Sequence, residues 1–359
     1  MGLISSLCNK PDPKKARAKK DPEDQQHIFG FSKDGLKKDA DQVGQDNYDI
    51  ISSELGQNIY FFAVYDGHGI KGREASAYAK DEIHKYLVKE KIFIATLTER
   101  KEAEKFFNKI FTNVQNKFKK KNTDFETSGT CAICILIVNN HCFIINLGDS
   151  RAIIGHNQLG NKIVYQMSID HKANRTDERE RIEKSGGYVA MEHEKGLGPF
   201  RVYSKNDDGP GLAVSRSLGD VFGHTVGVSH LPEISYKLLE ENDVFIVIGS
   251  DGIWDVMNSP EVVGYVFEKI EKEITWSRQR IVEELVQECR NRWELINIYK
   301  EKIIIEKMSA KEKEKENNSQ NDNENMELNN NSVKTNRPMV RQNIDDITGI
   351  ICFFGIGTE

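Results

Sequence analysis

No stretch of the chain approaches the ~18 consecutive apolar residues that a transmembrane helix needs, and no apolar signal-peptide core opens it. Cysteine is scarce. Six cysteines in 359 residues make no disulfide framework and suit a reducing, intracellular compartment. A basic excess is missing too: Lys and Arg number 50 against 56 Asp and Glu, a net charge of −6. Nucleic acid is therefore not an expected partner. There is no internal repeat with a period of about 20–50 residues and no His-rich ligand cluster. What is present is a chain with 38% hydrophobic and 30% charged residues. That is enough apolar material for a large core and excludes global disorder. The length allows two or three domains, or one large domain with insertions.

Residues 1–24 differ from the rest. Lys10, Lys14, Lys15, Arg17, Lys19 and Lys20 come within eleven positions with only Asp12 opposing them there, and Pro11, Pro13 and Pro22 argue against a long helix. The segment reads as a mobile basic arm. Its opening, Met1-Gly2-x-x-x-Ser6, fits the pattern for N-myristoylation of Gly2. Cys8 is positioned for palmitoylation, and the basic run can face anionic lipid at roughly 1 kcal/mol per residue. A second signal is what turns one acyl chain into a stable anchor. The expectation is a cytoplasmic, membrane-associated protein tethered to the inner leaflet.

Local patterns place the remaining elements. Ile59–Tyr65 is aromatic and β-branched, a buried strand. Ala75, Ala79, Ile83, Tyr86 and Leu87 recur at helical spacing, as do Ala103, Phe106, Phe107, Ile110, Val114 and Phe118 over 99–119. The aromatic stripe Phe106/Phe107/Phe111/Phe118 reads as core. Cys131–Val138 and His141–Leu147 are apolar runs joined by Asn139-Asn140, which predicts a tight hairpin. Arg151–Ile154, Val164–Met167 and Val244–Gly249 read as strands, and Glu261–Lys272 and Gln279–Tyr299 as helices. Residues 309–336 are low complexity, with Asn at eight of the fifteen positions 317–331. Such a tract buries too little apolar surface to offset its ordering entropy. Because Ile347–Phe354 is again β-like, the tract reads as an insertion, a long loop before a final core strand. The order of strands and helices favours antiparallel sheets with packed helices, an α+β class, over regular βαβ alternation.

The chemistry lies in the aspartates. Asp46, Asp66, Asp251 and Asp345 each abut an apolar strand, and Asp149 lies between two. Converging carboxylates repel one another and need a cation, and hard oxygen ligands select Mg²⁺ or Mn²⁺ over Zn²⁺. Any single Asp-Gly is most simply a turn; five such sites beside buried strands are less simply explained that way. Cys131-x-x-Cys134 lies inside an apolar strand with no second pair at zinc spacing, so both read as buried structural cysteines. Gly196-x-Gly198 lacks the strand-to-helix setting of a nucleotide loop.

Ten motifs follow one another: Gln45-Asp46-Asn47; Val64-Tyr65-Asp66-Gly67-His68-Gly69; Ser128-Gly129-Thr130; Leu147-Gly148-Asp149-Ser150-Arg151-Ala152; Asp170-His171-Lys172; Arg181-Ile182-Glu183 with Gly186-Gly187; Leu212 to Asp220; Pro232-Glu233-Ile234; Asp251-Gly252-Ile253-Trp254-Asp255; and Asp345-Asp346-Ile347-Thr348. In content and order they resemble the metal-dependent type 2C Ser/Thr protein phosphatase (PPM) family, from about residue 27 to 355. The resemblance implies a central sandwich of two antiparallel β-sheets flanked by helices, in four α-β-β-α layers with a binuclear metal site at one end. It implies a catalytic domain over 25–355 that contains the 309–336 insertion. It implies metal ligation by Asp66, the Gly67 carbonyl, Asp251 and Asp345, with Asp46 holding metal-bound water. Asp149 and Asp255 match the positions of a third, weaker metal. His68 matches the general acid. The implied reaction is hydrolysis of phosphoserine and phosphothreonine in proteins by metal-activated water, with two Mg²⁺ or Mn²⁺ ions, phosphoprotein substrates and a monomeric enzyme. The alternative is a catalytically silent phosphoprotein-binding module on the same fold. Intact Asp66, Asp251, Asp345 and His68 speak against that alternative.

The sequence departs from the family pattern at several positions. Where the family often has a phosphate-gripping Arg, this chain has Asp41; Lys37 or Lys38 is the candidate substitute. Asp346 stands for a frequent Asn, Ser217 for a frequent Ala, and Gln45 for a frequent Glu. Part of the segment from about His156 to Ser204 is implied to be a flap beside the active site.

Overall fold

The computed structural model describes residues 27–35, 44–121, 125–193, 197–205, 207–272, 277–321 and 344–354. Gly2, Cys8, Lys37 and Lys38 lie outside the described residues. The chain runs through β1 (Ile28–Lys33), β2 (Asn47–Ile51), β3 (Ile59–Tyr65), β4 (Gly67–His68), α1 (Gly72–Lys89), α2 (Lys91–Ile94), α3 (Arg100–Lys120), β5 (Gly129–Thr130), β6 (Ala132–Val138), β7 (His141–Leu147), β8 (Arg151–Gln158) and β9 (Asn161–Gln166). It continues through α4 (Thr176–Lys184), β10 (Gly187–His193), β11 (Leu197–Ser204), β12 (Asp207–Leu212), β13 (Leu218–Gly219), β14 (Glu233–Leu238), β15 (Asp243–Gly249), α5 (Asp251–Trp254), α6 (Ser259–Lys272), α7 (Arg278–Asn321) and β16 (Ile347–Phe353).

Two five-stranded sheets form the centre, ordered β1-β16-β15-β8-β9 and β14-β7-β6-β3-β2, and every strand pair in them is antiparallel. The two-residue period of a strand explains why these strands are apolar throughout. Phe62 and Val64 of β3 point between the sheets, where they meet Ile246, Ile248 and Ile350. Their neighbours Phe61, Ala63 and Tyr65 point outward onto α1 and α3. In β15, Phe245 and Val247 likewise face α5, α6 and α7. Each sheet is thus buried on both faces, and the layers are helix, sheet, sheet, helix, as expected.

Several local readings hold. Asn139 takes a φ of 57°, the left-handed turn of the β6–β7 hairpin. Phe106, Phe107, Phe111 and Phe118 are buried in the core between α3, α1 and the β14-β7-β6-β3-β2 sheet. Cys134 faces the helices while Cys131 lies against Asp149, so the two cysteines face opposite ways.

The loop expected over 309–336 is corrected in its first part: the α7 backbone stays helical to Asn321, and 322–336 lie outside the described residues. Lys, Glu and Ala at 300–316 are strong helix formers that can support each other at i,i+4 spacing. Intrinsic propensity carries the helix beyond the part that buries Ile281, Val282, Leu285, Val286 and Cys289. Two smaller sheets escaped the sequence reading. These are β10-β11-β12 and the short β13-β5-β4.

Candidate metal centre and active site

The carboxylates gather at one edge of the sandwich because strand register sets them there. Asn47 pairs with Tyr65, so the next step sets Asp46 opposite Asp66. Arg151 pairs with Gly249, and two further steps bring Asp149 level with Asp251. Carboxylate oxygens of Asp66, Asp149 and Asp251 lie within 4.8 Å of one another. A Cβ on Gly67 would press into the backbone oxygens of Gly72 and Gln45, so only glycine lets the chain turn there.

This concentration of buried charge is electrostatically unfavourable without a cation. Burial, then the Asp346 and Asp345 charges, push the Asp46 carboxyl up to about 7, against hydrogen bonds from Thr348 and Ser250. Burial, then Asp46 and Asp345, hold Asp66 well above the usual carboxylate range. Burial, then Asp66 and Asp345, do the same to Asp251. The Oδ2 atom of Asp46 is buried with no hydrogen-bond partner. An orphaned carboxylate oxygen amid mutually repelling carboxylates fits a hard divalent cation, and an all-oxygen donor set suits Mg²⁺ or Mn²⁺.

Asp149 is held differently. Burial would raise it, but the Lys172 ammonium, 2.5 Å from its Oδ2, keeps the carboxyl below its ordinary range. Of the pair suggested for a third ion, Asp149 therefore joins the inner cluster and Lys172 together. Asp255 is exposed, at the end of the α5 turn.

His68 lies in the same cavity, a cleft of about 560 Å³ also lined by Asp66, Asp149, Asp251 and Asp345. The small sheet positions it: His68 pairs with Gly129, and Gly129 with Gly219. This brings His68 Nε2 to 2.7 Å from Asp220 Oδ2, and the Ser217 hydroxyl donates to the same oxygen at 2.5 Å. Asp220 and Ser217 fall within the Leu212 to Asp220 motif, and nothing local in the sequence marks this role. Ser217, noted only as a departure from Ala, orients the carboxylate that holds His68.

Asp346 is a second case. Its carboxylate accepts the backbone N–H of Gly35 at 2.6 Å and that of Gln45 at 2.7 Å, tying the start of β2 to the approach to β16. The Gln45 side chain in turn donates to the Gly69 carbonyl at 2.6 Å. These two residues brace the backbone that carries Asp46, Gly67 and Asp345. Glu178, buried on α4, is also missed by the sequence reading. It takes Arg181 at 2.6 Å and Arg216 at 2.6 Å, fastening α4 beneath the β10-β11-β12 sheet. Phe200, Leu212 and Val226 pack on the core of that small sheet.

The raised carboxyls have a thermodynamic consequence. In metal-free protein Asp46 keeps a proton up to about pH 7 that the unfolded chain releases near 3.8. Stability from this group is therefore complete below pH ~4 and is lost as pH rises through about 7. His224, held down to about 4 by burial and then by His230, acts in the opposite direction. Asp46→Asn isolates the carboxyl. In chelator, wild type is expected to lose thermal stability relative to Asp46→Asn between roughly pH 4 and 7. Parallel profiles would refute the coupling.

A layered α-β-β-α sandwich with a carboxylate cluster and a braced histidine at one sheet edge has the makings of a metal-dependent phosphoryl hydrolase. Compared with known families, residues 28–294 match the one described as Protein phosphatase 2C. The chain is 32% identical over 244 residues to the probable protein phosphatase 2C 35 of Arabidopsis thaliana, covering 63% of this chain and 68% of that one. It is 29% identical over 288 residues to the probable protein phosphatase 2C 52 of the same plant, covering 70% of this chain and 59% of that one. Among solved structures it is similar to the serine-threonine phosphatase 2C from Toxoplasma gondii, with a TM-score of 0.65, 17% identity, and coverage of 91% and 94%. At that identity the likeness concerns the fold alone. The chain belongs to the protein phosphatase 2C family, and its class is that of a protein serine/threonine phosphatase.

Proposed function

We propose that the chain hydrolyses phosphoserine and phosphothreonine in phosphoproteins, with two Mg²⁺ or Mn²⁺ ions that would be held by Asp66, the Gly67 carbonyl, Asp251 and Asp345, and with Asp46 holding metal-bound water. The observation that carries this reading is the cluster of mutually raised carboxyls, with Asp66, Asp251 and Asp345 in one cleft with His68 and the orphaned oxygen of Asp46 buried among them. When bound, such ions neutralise charge on the phosphoryl oxygens and make water nucleophilic at neutral pH. The protein holds the aspartates on rigid strand ends, so little reorganisation accompanies reaction. His68 supplies a proton to the departing serine or threonine oxygen, and Asp220 fixes the ring's orientation. A third ion at Asp149 and Asp255 would compete with the Lys172 ammonium.

Phosphate release from a Ser/Thr phosphopeptide, measured with Mn²⁺ and with chelator, tests the proposal. Metal-dependent release is expected, and none on any such peptide would refute it. His68→Ala is expected to lose about 10²–10⁴-fold on a phosphopeptide and much less on an aryl phosphate, whose leaving group needs no proton. Equal losses on both substrates would remove His68 from the general-acid role.

The proposal extends to the arm. Gly2 in its myristoylation pattern, Cys8 and the basic run support attachment of a monomeric cytoplasmic enzyme to the inner face of a membrane. Among the described residues no helix is long and apolar enough to cross one. Co-expression with an N-myristoyltransferase should add a 14-carbon acyl mass, and Gly2→Ala should move the protein to the soluble fraction. An unchanged mass, or an unchanged membrane fraction in Gly2→Ala, would refute attachment through Gly2.

A further inference from the structure

A phosphatase cleft must hold an anionic phosphoryl group, and Lys37, Lys38 and Asp41 lie outside the described residues. The cleft is acidic on the floor, where Asp66, Asp149, Asp251 and Asp345 line it. A phosphate monoester is anionic, and once cations neutralise the floor, its remaining oxygens gain most from a guanidinium fork. Among the described residues that line the cleft, Arg201 on β11 is the only Lys or Arg.

The side chain of Arg201 is only partly used by the protein. Its Nη1 donates to the Gly211 carbonyl at 3.0 Å, and its Nη2 lies 3.2 Å from Glu192 Oε1. Its Nε is buried with no hydrogen-bond partner. A buried guanidinium N–H without an acceptor is costly and calls for an explanation. The Arg201 wall of the cleft is otherwise built from Val202, Tyr203, Leu212 and Val214, none of which competes for an anion by charge.

We propose that Arg201 is the phosphoryl-binding arginine of this enzyme, supplied from the β10-β11-β12 sheet to the wall of the cleft. This rests on the phosphatase reading above. Glu192 holds the guanidinium in reserve, and the substrate phosphoryl takes over part of that pairing.

The test compares the Mn²⁺-loaded wild type with Arg201→Ala, Arg201→Lys and Glu192→Gln. The probes are an aryl phosphate as substrate and inorganic phosphate as competitive inhibitor. For Arg201→Ala, KM and the inhibition constant for phosphate should both rise about tenfold or more, with kcat changed less. Arg201→Lys should fall between wild type and alanine, because an ammonium keeps the charge without the fork. Glu192→Gln should lower both constants by freeing the guanidinium. Unchanged constants in Arg201→Ala would overturn the assignment. With a phosphopeptide carrying acidic flanking residues as a third probe, an effect confined to that peptide would also overturn it, because it would place a neighbouring anion at Arg201. If Glu192→Gln raises both constants as Arg201→Ala does, the pair is a brace within the small sheet and the proposal falls. Calorimetric titration of inorganic phosphate into Mn²⁺-loaded wild type and Arg201→Ala needs no turnover. It therefore reports on Arg201 even if wild type releases no phosphate, an outcome that would sink the phosphatase reading alone.

Discussion

Asp251→Ala is expected to abolish metal-dependent phosphate release while leaving the fold intact. Asp251 stands at the meeting point of the cluster, with carboxylate oxygens of Asp66 and Asp149 within 4.8 Å. Losing an outer partner of a metal ligand typically costs about 10–100-fold in affinity or activity. Losing a carboxylate at the centre of the cluster should cost more than that. The same substitution also removes a buried charge that its neighbours hold in unfavourable company. The metal-free variant should therefore melt at or above the wild-type temperature, as expected where a site is built at the expense of stability. Asp66→Ala should behave alike, since Asp66 is raised by the same cause. The measurements are phosphate release across a Mn²⁺ titration, Mn²⁺ binding by calorimetry, and thermal unfolding in chelator. Retained activity with wild-type Mn²⁺ affinity would remove Asp251 from the metal centre. A lower melting temperature in chelator would mean that its role is structural.

A chain ending at residue 308 should fail to fold. That truncation removes β16, which lies between β1 and β15 and pairs with both. It removes Ile347, Ile350, Ile351, Cys352 and Phe353, all buried. At about 1.5–3 kcal/mol for each large apolar side chain, the lost burial is on the order of 10 kcal/mol as an upper estimate. The whole stability of a typical domain is about 5–15 kcal/mol. The truncation also leaves β1 and β15 with unpaired edges and takes away Asp345. Deleting only 309–336 is different, because the entropy of closing a loop grows slowly with its length. That protein should keep its activity and most of its stability. Circular dichroism melts and phosphate release on both proteins decide the matter. A cooperative, wild-type-like melt of the 308 truncation would show that β16 is dispensable to the core. An inactive internal deletion would show that the tract does more than connect.

Much of the scaffold was legible because its signals are local. The β3 run is apolar at every position because both faces are covered, and the α1 and α3 stripes recur at the helical period. The aspartates at strand ends could be seen from sequence for the same reason, since each sits beside a run of strand-forming residues. The helix expected over Gln279–Tyr299 is present and runs on to Asn321, because the Lys/Glu run has no apolar face but carries its own helical preference.

Sequence by itself determined the kind of residue available at each place: carboxylates where apolar strands end, a histidine beside Gly67, an apolar alternation that demands two covered faces. Tertiary structure alone decided which of these meet. His68 and Asp220 are 152 positions apart, and only the β4-β5-β13 pairing puts them in hydrogen-bond contact. Asp346 shows in the sequence only as a departure from a frequent Asn, and the fold gives it its place: its carboxylate is taken up by the N–H groups of Gly35 and Gln45. Arg201 lies in a charged, glycine-rich stretch with no local mark of function, and reaches the cleft only because the small sheet folds over it. The reason is physical. Side-chain period and backbone propensity act over a few residues and are written in the sequence, whereas strand register and long-range approach depend on how the whole chain packs.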